Sequence, residues 1–277
     1  MLVIIQNAEP VSHSIIEVSW LDLGLASFLI IIAVGISLWQ KLGLAQRIVV
    51  GAIRTVIQLV LVGYLLVYIF ALDRWYLVAA TLVLMMIVAT RAAVNRQWGA
   101  SRKLLMITGA AILISSGFTV LYVSTFVVRV DPWYNPRYLI PLFGMIVGSA
   151  MNAAAIASER LSSEFAARKM EIEAYLALGA SYQRASQQAV GQAFRASLIP
   201  TVNGLMVVGI VTLPGMMTGQ ILAGSSPLIA IRYQIVVAFM QAAAVAVSTS
   251  VVTLWYRRTF FTSALQLKPS AIETTAL

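Results

Sequence analysis

The sequence predicts an all-α, polytopic membrane protein with about seven transmembrane helices. Of its 277 residues, 60% are hydrophobic and only 10% are charged, whereas a soluble domain carries about a quarter charged residues. The mean hydropathy is +0.89. The apolar residues collect in runs of roughly 20, the length that an α-helix needs to cross a bilayer. With 277 residues in all, the chain has little room for a second domain.

Seven apolar runs are long enough to cross a membrane. They cover residues 21–39, 48–70, 75–92, 104–128, 138–157, 195–214 and 228–256. The third run is short, and the sixth is expected to be broken at Pro200 and to end at Pro214, because Pro lacks the helix donor. We therefore expect a transmembrane domain over 21–258, an N-terminal tail over 1–20 and a C-terminal tail over 259–277. An odd number of spans places the two tails on opposite sides.

Positive charges are distributed unequally between the two sets of loops. Of the 19 Lys and Arg residues, only Arg74, Arg129, Arg137 and Arg232 fall in one set, and all the others fall in the second set. Loops rich in Lys and Arg stay in the cytoplasm. The sequence thus predicts a multi-pass inner-membrane protein with an external N-terminus and a cytoplasmic C-terminus. This asymmetry accounts for the net charge of +9, so we expect no nucleic-acid partner.

Other features of the sequence limit the ways in which transport by such a protein could be powered. None of the 10 Asp and Glu residues lies in the middle of a predicted span, although ion-driven carriers usually keep an ionisable group there. The sequence also lacks the Gly-x-x-x-x-Gly-Lys-Ser/Thr motif that binds ATP phosphates. It has no Cys and no Ser/His/Asp cluster, so we do not expect an enzyme. A membrane subunit that uses a separate ATPase fits these features, with ATP and magnesium on the partner and no cofactor on this chain.

Residues 159–188 form a polar interruption that the charge distribution places in the cytoplasm. Glu173 and Gly179 fit the Glu-Ala-Ala-x-x-x-Gly signature with which ABC permeases present a coupling helix to an ATPase. Tyr175 replaces the second Ala. The signature continues with an apolar residue and a Pro, and in this chain that pair lies further along than expected, at Ile199-Pro200. The residues expected to contact the ATPase are Glu171, Glu173, Ala174, Leu178, Gly179 and Ala180.

Two simpler interpretations of this segment stay open. Apolar residues at helical spacing predict an amphipathic helix: Leu161, Phe165, Ile172 and Leu176. Such a helix could be a surface loop helix that ends at a Gly cap. Alternatively it could lie on anionic lipid, which Arg160, Arg168 and Lys169 would favour.

The run from Pro214 to Gln220, Pro-Gly-Met-Met-Thr-Gly-Gln, is expected to break the sixth span near its outer end. Broken helices expose carbonyl groups and are common at transport sites. Thioethers can bind soft metal ions, although Met more often serves as flexible packing. The candidate path residues, with the metal ligands unassigned, are Arg54, Gln58, Asn152, Asn203, Pro214, Met216, Met217, Thr218 and Gln220. In the alternative interpretation, Arg54 snorkels to the interface and the amides form interhelical hydrogen bonds.

Two Gly-x-x-x-Gly motifs permit close approach between helices. One joins Gly144 to Gly148, and the other joins Gly215 to Gly219. Each motif could serve packing within the chain or the seam of a homodimer.

Four segments of the chain resemble the FetB-type permease family. They are residues 51–59, 141–152, 213–222 and 232–235. The resemblance extends over about residues 20–265, and the Pro-Gly-Met-Met-Thr-Gly-Gln run is its most specific element. Family members are membrane subunits of bacterial iron exporters, and plant relatives are aluminium-tolerance transport subunits. The resemblance implies an ABC transporter permease that exports iron or a related metal species.

The same resemblance implies the partners. They are an ABC-type ATP-binding subunit, a second permease copy, a metal substrate and membrane lipids. Two other classes stay open from the residues alone. An ion-gradient-driven carrier or channel would transport without any ATPase, and a membrane sensor or assembly protein would show no flux.

The charge asymmetry yields a topology prediction. Cys introduced at Ser12 should react with an impermeant thiol reagent in intact cells, whereas Cys at Ser270 should react only after the cells are opened. The natural chain has no Cys, so the unmodified protein is the blank. The reverse labelling pattern would contradict the predicted orientation.

Overall fold

The apolar runs form helices, because a backbone in a bilayer must satisfy its hydrogen bonds internally. The computed structural model describes residues 18–95 and 101–268. Most of the predicted tails, residues 1–17 and 269–277, therefore lie outside the described residues. The helices are α1 Trp20–Trp39, α2 Ala45–Leu72, α3 Trp75–Val94, α4 Arg102–Tyr122, α5 Pro136–Ala167, α6 Lys169–Ala177, α7 Tyr182–Ala185, α8 Gln187–Val207, α9 Gly215–Leu222 and α10 Pro227–Arg257.

Short irregular helices extend two of these elements. A π-helical turn over Val123–Val127 continues α4, and a 3₁₀ turn over Arg258–Phe260 continues α10. Within residues 18–95 and 101–268, β pairing is limited to two isolated bridges, Val208 with Thr212 and Phe261 with Leu267. Six helices, α1 to α5 and α10, are long and apolar enough to cross a membrane in the part of the chain that the structure describes. The predicted all-α, polytopic class is confirmed.

The sixth predicted span, 195–214, takes a different form. Its helix α8 begins at Gln187, passes through Pro200 without interruption and ends at Val207. The expected break at Pro200 is therefore wrong. A Pro is tolerated inside a membrane helix where neighbouring helices and Ser or Thr side chains satisfy the freed backbone groups. Ser197, three residues earlier, shares a 3.0 Å hydrogen bond with Thr249 of α10. The chain leaves the helix at Val208, which is extended, and Gly209, whose φ is +84°.

Contacts divide the chain into two compact units. The first contains the described residues up to Arg74 together with Gln220–Ser226, and the second contains Trp75–Gly219 together with the described residues from Pro227 onward. In the first unit, α1 and α2 pack as a helical hairpin. Ser19 begins α1 with a capping box, since its hydroxyl accepts from the Asp22 N–H and the Asp22 carboxylate accepts from the Ser19 N–H. The turn that follows α1 contains Gly43 at φ +67°. Most side chains of this hairpin are exposed.

The second unit is organised around α5 and α10. Helix α5 packs against α3, α4, α8 and α10. Small residues are buried on these helices, among them Ala150, Ala154 and Ala244, and small side chains let helix backbones approach closely. The Ser248 hydroxyl of α10 donates to the Ala150 carbonyl of α5 at 3.1 Å.

The two Gly-x-x-x-Gly motifs differ in their surroundings. A Cβ atom added at Gly144 would lie 2.9 Å from the Met85 methyl group, so this Gly supports packing of α5 on α3. Gly148, Gly215 and Gly219 have no such neighbour within 4 Å. Only one of the four Gly residues is therefore required by packing within the described chain.

Candidate coupling surface and membrane cavity

The predicted cytoplasmic segment folds as a helical corner and differs from the single amphipathic helix that its apolar spacing predicts. Helix α5 ends at Ala167, and α6 starts at Lys169 after a bend at Arg168. The backbone of Arg168 is non-helical, with φ −104° and ψ +19°. Apolar spacing alone could not reveal this bend, because residues on both sides of it face the same cluster.

Arg168 holds the corner through its guanidinium group. Nε donates to Glu164 at 2.8 Å, and Nη1 donates to Glu171 at 3.0 Å and to Gln188 at 2.6 Å. These contacts tie α5, α6 and the start of α8 together. The hydrogen bonds from Glu164 and Glu171 raise the pKa of Arg168 above its ordinary value, so it remains charged. Arg160 completes the network with a 2.7 Å ion pair to Glu164.

A hydrophobic cluster supports the inner face of the corner. Ile172 of α6 is buried there with Phe165 of α5 and Ala189 of α8. Phe260 stacks on Phe165 with a ring separation of 4.4 Å, and Phe261 meets the same ring edge-on at 5.8 Å. These two rings come from the segment 258–268 that follows α10, which we call the C-terminal strap. The cluster therefore fixes α6 against both α5 and the end of α10.

The opposite face of the corner is left exposed. Met170 is 81% exposed and Leu178 is 85% exposed, although both are large apolar residues. Between them, Glu173 and Ala174 are also exposed. An exposed apolar surface around a charged residue is typical of a protein-binding site. We call Met170, Glu173, Ala174 and Leu178 the outer face of α6.

Helix α6 ends in a Schellman turn. The Ala180 N–H donates to the Tyr175 carbonyl at 3.0 Å, and the Gly179 N–H donates to the Leu176 carbonyl at 3.0 Å. Gly179 has φ +81°, a left-handed conformation in which Gly is strongly favoured. The sequence-based expectation of a Gly cap is confirmed, and the turn holds Leu178 at the corner of the surface.

The six predicted coupling residues thus occupy different positions. Glu173, Ala174, Leu178 and Gly179 lie on the exposed side, whereas Ala180 is half-buried. Glu171 is turned toward Arg168 and belongs to the network that holds the corner. Met170 was not among the predicted residues. The signature draws attention to Glu-Ala and Gly and gives no sign of an exposed Met before them.

A second feature lies where α8 ends, inside the second unit. Two adjoining cavities of about 520 and 390 Å³ share a wall that contains Pro214 and Gln234. Met217 lines the larger cavity and Met216 lines the smaller one. The irregular chain after Val207 creates this space, because no helix fills it before α9 begins.

Helix α10 presents amides to the smaller cavity. Gln234, Val237, Ala238 and Gln241 recur at the spacing of one helix face and all line it. Gln234 is buried, and its side-chain carbonyl has no hydrogen-bond partner among the described residues. A buried amide without a partner is costly. Its position therefore indicates a place where a bound molecule can supply the missing donor or cation.

The predicted path residues separate into groups. Pro214, Met216 and Met217 line the cavities, and the Thr218 hydroxyl donates to the Pro214 carbonyl at 3.0 Å. Gln220 is further along α9, and its side-chain carbonyl is buried without a partner among the described residues. The remaining candidates lie elsewhere: Arg54 lines a separate surface cavity, and Gln58, Asn152 and Asn203 are exposed.

Sequence reasoning missed several polar residues of the cavity. Gln241, Ser149 and Thr201 line it together with Gln234. The two Gln residues are seven positions apart, two helical turns, within the last predicted span. That spacing could have indicated a polar cavity in the sequence, because two amides on one face of an apolar helix require a polar environment.

The donor set does not resemble a carboxylate or thiolate metal centre. Within residues 18–95 and 101–268, no group of three or more His, Cys, Asp or Glu side chains could hold a metal ion. For contact with a bound molecule, the described polar side chains of the smaller cavity offer amide, hydroxyl and thioether groups. Such a set suits transient contact with a passing species better than a permanent, high-affinity metal site.

The fold and these two features define a helical, multi-pass membrane protein with a cavity beside α8 and α10 and an exposed helical corner. The comparison with known families agrees with this class. The chain belongs to the Uncharacterised protein family UPF0014, whose model matches residues 20–261. The resemblance seen in the sequence is confirmed.

Relatives occur in bacteria and plants. The chain is 40% identical over 259 residues to the UPF0014 membrane protein slr1647 of Synechocystis, covering 92% of this chain and 98% of that protein. It is 36% identical over 262 residues to the Probable iron export permease protein FetB of Escherichia coli, covering 92% and 96%. It is 33% identical over 243 residues to Protein ALUMINUM SENSITIVE 3 of Arabidopsis thaliana, covering 88% of each chain. No solved structure matches the chain.

The Schellman turn yields a stability prediction. Gly179→Ala should destabilise the end of α6 by about 1–2 kcal/mol, because a side chain in the left-handed region clashes with the backbone. In hydrogen–deuterium exchange of the purified variant, the backbone amides at positions 179 and 180 should exchange about tenfold faster than in the wild-type protein.

Gly191→Ala is the matched control. Gly191 lies inside α8, and a Cβ atom there would meet nothing within 4 Å. Ala favours a helix interior more than Gly does, so exchange in α8 should stay the same or slow down. Equal exchange of the α6 end in wild type and Gly179→Ala would contradict the structural role of Gly179.

Proposed function

We propose that this protein is the membrane permease subunit of an ABC transporter and that α6 is its coupling helix. The observation that carries the proposal is the outer face of α6, which exposes Met170 and Leu178 while the cluster and Arg168 hold the helix in place. A rigid, exposed apolar corner can transmit force from a partner. A flexible loop would absorb the same motion.

The charges of the corner favour a protein partner over a lipid surface. Of the three cations that would favour lipid, Arg160 and Arg168 are already paired with Glu164. The outer face itself carries the acidic Glu173, which anionic lipid would repel. A nucleotide-binding subunit with a groove for a short helix fits this surface better.

We propose iron or a related metal species as the exported cargo. The support is the relative named as a probable iron export permease and the plant relative named for aluminium sensitivity. The cavity beside Pro214 is the proposed stretch of the path. Its thioether, amide and hydroxyl groups can contact a metal complex weakly enough to release it again.

The transport cycle follows from these two features. ATP and magnesium bind to the partner, whose two copies close and push on α6 in each of two permeases. Phe165 and Phe260 pass that motion from the corner to α5 and α10, the helices that line the smaller cavity. The cavity then opens to the other side. In this proposal the complex lies in the inner membrane with α6 in the cytoplasm.

The docking surface can be tested by co-purification. Glu173→Lys and Leu178→Asp should each reduce capture of the ATP-binding subunit by the tagged permease about tenfold or more, because central contacts dominate interface energy. The captured subunit is identified by mass spectrometry, and ATP hydrolysis by the complex is the second measurement.

Lys41→Glu is the control, a charge reversal in the turn that follows α1. It should leave capture and ATP hydrolysis unchanged. Full coupling in both α6 variants would place the docking site elsewhere. Metal flux driven by an ion gradient, with no ATP-binding subunit present, would replace the ABC proposal with a carrier.

The path can be tested by efflux from vesicles that contain the complete complex. Met216→Leu combined with Met217→Leu nearly preserves volume and apolarity, and it should lower iron efflux if sulfur contacts the cargo. Gln234→Leu should also lower efflux without lowering the melting temperature, because it removes a buried amide that has no described partner.

Met206→Leu is the matched control for the thioethers. Met206 lies on α8, is 74% exposed and does not line either cavity. Its variant should transport normally. Unchanged efflux in the cavity variants would remove this cavity from the path, and loss of melting temperature in Gln234→Leu would identify that amide as structural.

A further inference from the structure

A further cavity lies at the opposite end of α10 from Gln234. It encloses about 370 Å³ and is formed by the start of α4, the end of α10 and the C-terminal strap. Three cationic residues line it: Lys103, Arg258 and Lys268. Among the residues that the structure describes, no carboxylate lines it. Neither the coupling helix nor the cavity near Pro214 uses these three residues.

The fold brings these cations together from distant parts of the chain. Lys103 lies in the first turn of α4, and Arg258 begins the 3₁₀ turn after α10. The strap then folds back, because Phe261 pairs with Leu267 and the Lys268 N–H donates to the Phe260 carbonyl at 2.9 Å. This return places Lys268 beside the cavity that Arg258 also lines.

The three positive charges have no carboxylate partner among the described residues. Within the described part of the chain, Lys103, Arg258 and Lys268 make no ion pair with a carboxylate at 4 Å or less. Like charges that share a small cavity repel one another, and an anion bound between them removes that repulsion. The positive charges around the cavity therefore favour binding of an anion.

Hydroxyl groups complete the lining. Thr262 and Ser263 both contribute to the wall. The Thr262 oxygen accepts from the Gln266 N–H at 3.1 Å, which leaves its hydroxyl hydrogen available for donation. Cations combined with hydroxyl donors are the groups that bind phosphate oxygens.

The position of the cavity favours a membrane phosphate. Trp255 also lines it, in the last turn of a membrane-spanning helix, and is 49% exposed. Trp is enriched at the level of lipid headgroups, and basic pockets at the ends of membrane helices bind anionic headgroups. We propose that this cavity binds a phosphate group and that an anionic phospholipid headgroup supplies it.

Binding at this site would also act on the corner that holds α6. Tyr182 and Phe261 line the cavity and also contact each other within the hydrophobic cluster, with ring centroids 5.4 Å apart. A headgroup in the cavity therefore stabilises the strap on which that cluster rests. The site itself does not depend on the proposed transport function.

The test uses the purified full-length protein in a neutral detergent. Phosphatidylglycerol, phosphatidylcholine and inorganic phosphate are added in separate titrations, and binding is measured by native mass spectrometry and by melting temperature. Phosphatidylglycerol should bind and raise the melting temperature, whereas phosphatidylcholine should not. Each Lys or Arg beside an anionic lipid strengthens binding about fivefold, so Lys103→Gln or Lys268→Gln should weaken it by about that factor.

The combined variant Lys103→Gln, Arg258→Gln and Lys268→Gln should weaken binding about a hundredfold by the same rule. Its matched control removes three other cations, through Lys41→Gln, Arg47→Gln and Arg102→Gln. Arg102 is the immediate neighbour of Lys103 and does not line the cavity. The control should keep the affinity for phosphatidylglycerol within about twofold. The melting temperature without lipid shows whether each variant is folded, and the single variants carry the test if the triple variant is not.

The titrations separate the two sources of phosphate. Binding of phosphatidylglycerol that inorganic phosphate does not displace supports the headgroup. Binding of inorganic phosphate that the lining variants lose supports a free phosphate in the same site. Equal losses in the lining and control variants, or equal binding of phosphatidylcholine, would overturn the proposal.

Discussion

Close packing between the small-residue faces of α5 and α10 is the constraint on which the rest of the second unit depends. Apolar side chains gain little by leaving lipid for protein, so helices in a membrane associate through close contact and hydrogen bonds. Ala150 and Ala244 are fully buried, and the Ser248 hydroxyl reaches the Ala150 carbonyl across the contact. Larger side chains here would separate the helices and break that bond.

This pair of helices connects the two candidate sites. Gln234 lies at the membrane cavity, and Tyr256 packs on the cluster beneath the helical corner. Tyr256 follows Gln234 by 22 positions, which correspond to about 33 Å at the rise of an α-helix. A continuous helix of this length is stiff, so a displacement at Phe260 can reach the cavity without a chain of separate rearrangements. The proposed function requires such a connection.

The positively charged residues differ in what surrounds them. Arg160 and Arg168 are used within the protein, where both pair with Glu164. Lys103, Arg258 and Lys268 converge on a cavity that no carboxylate lines within residues 18–95 and 101–268. Counting Lys and Arg by loop treats these residues alike, because the count contains no information on which of them have partners. The structure separates these cations into a network that holds the helical corner and a group that lines the cavity proposed to bind an anion.

The sequence by itself determined the class, the approximate spans, the Gly cap at Gly179 and the family, because these follow from local composition, spacing and short motifs. It could not determine the bend at Arg168 or the continuity of α8 through Pro200. Those features depend on contacts with residues far along the chain, such as Gln188 for Arg168 and Thr249 for Ser197. Only the tertiary structure decides which distant groups meet, and such contacts override local propensity.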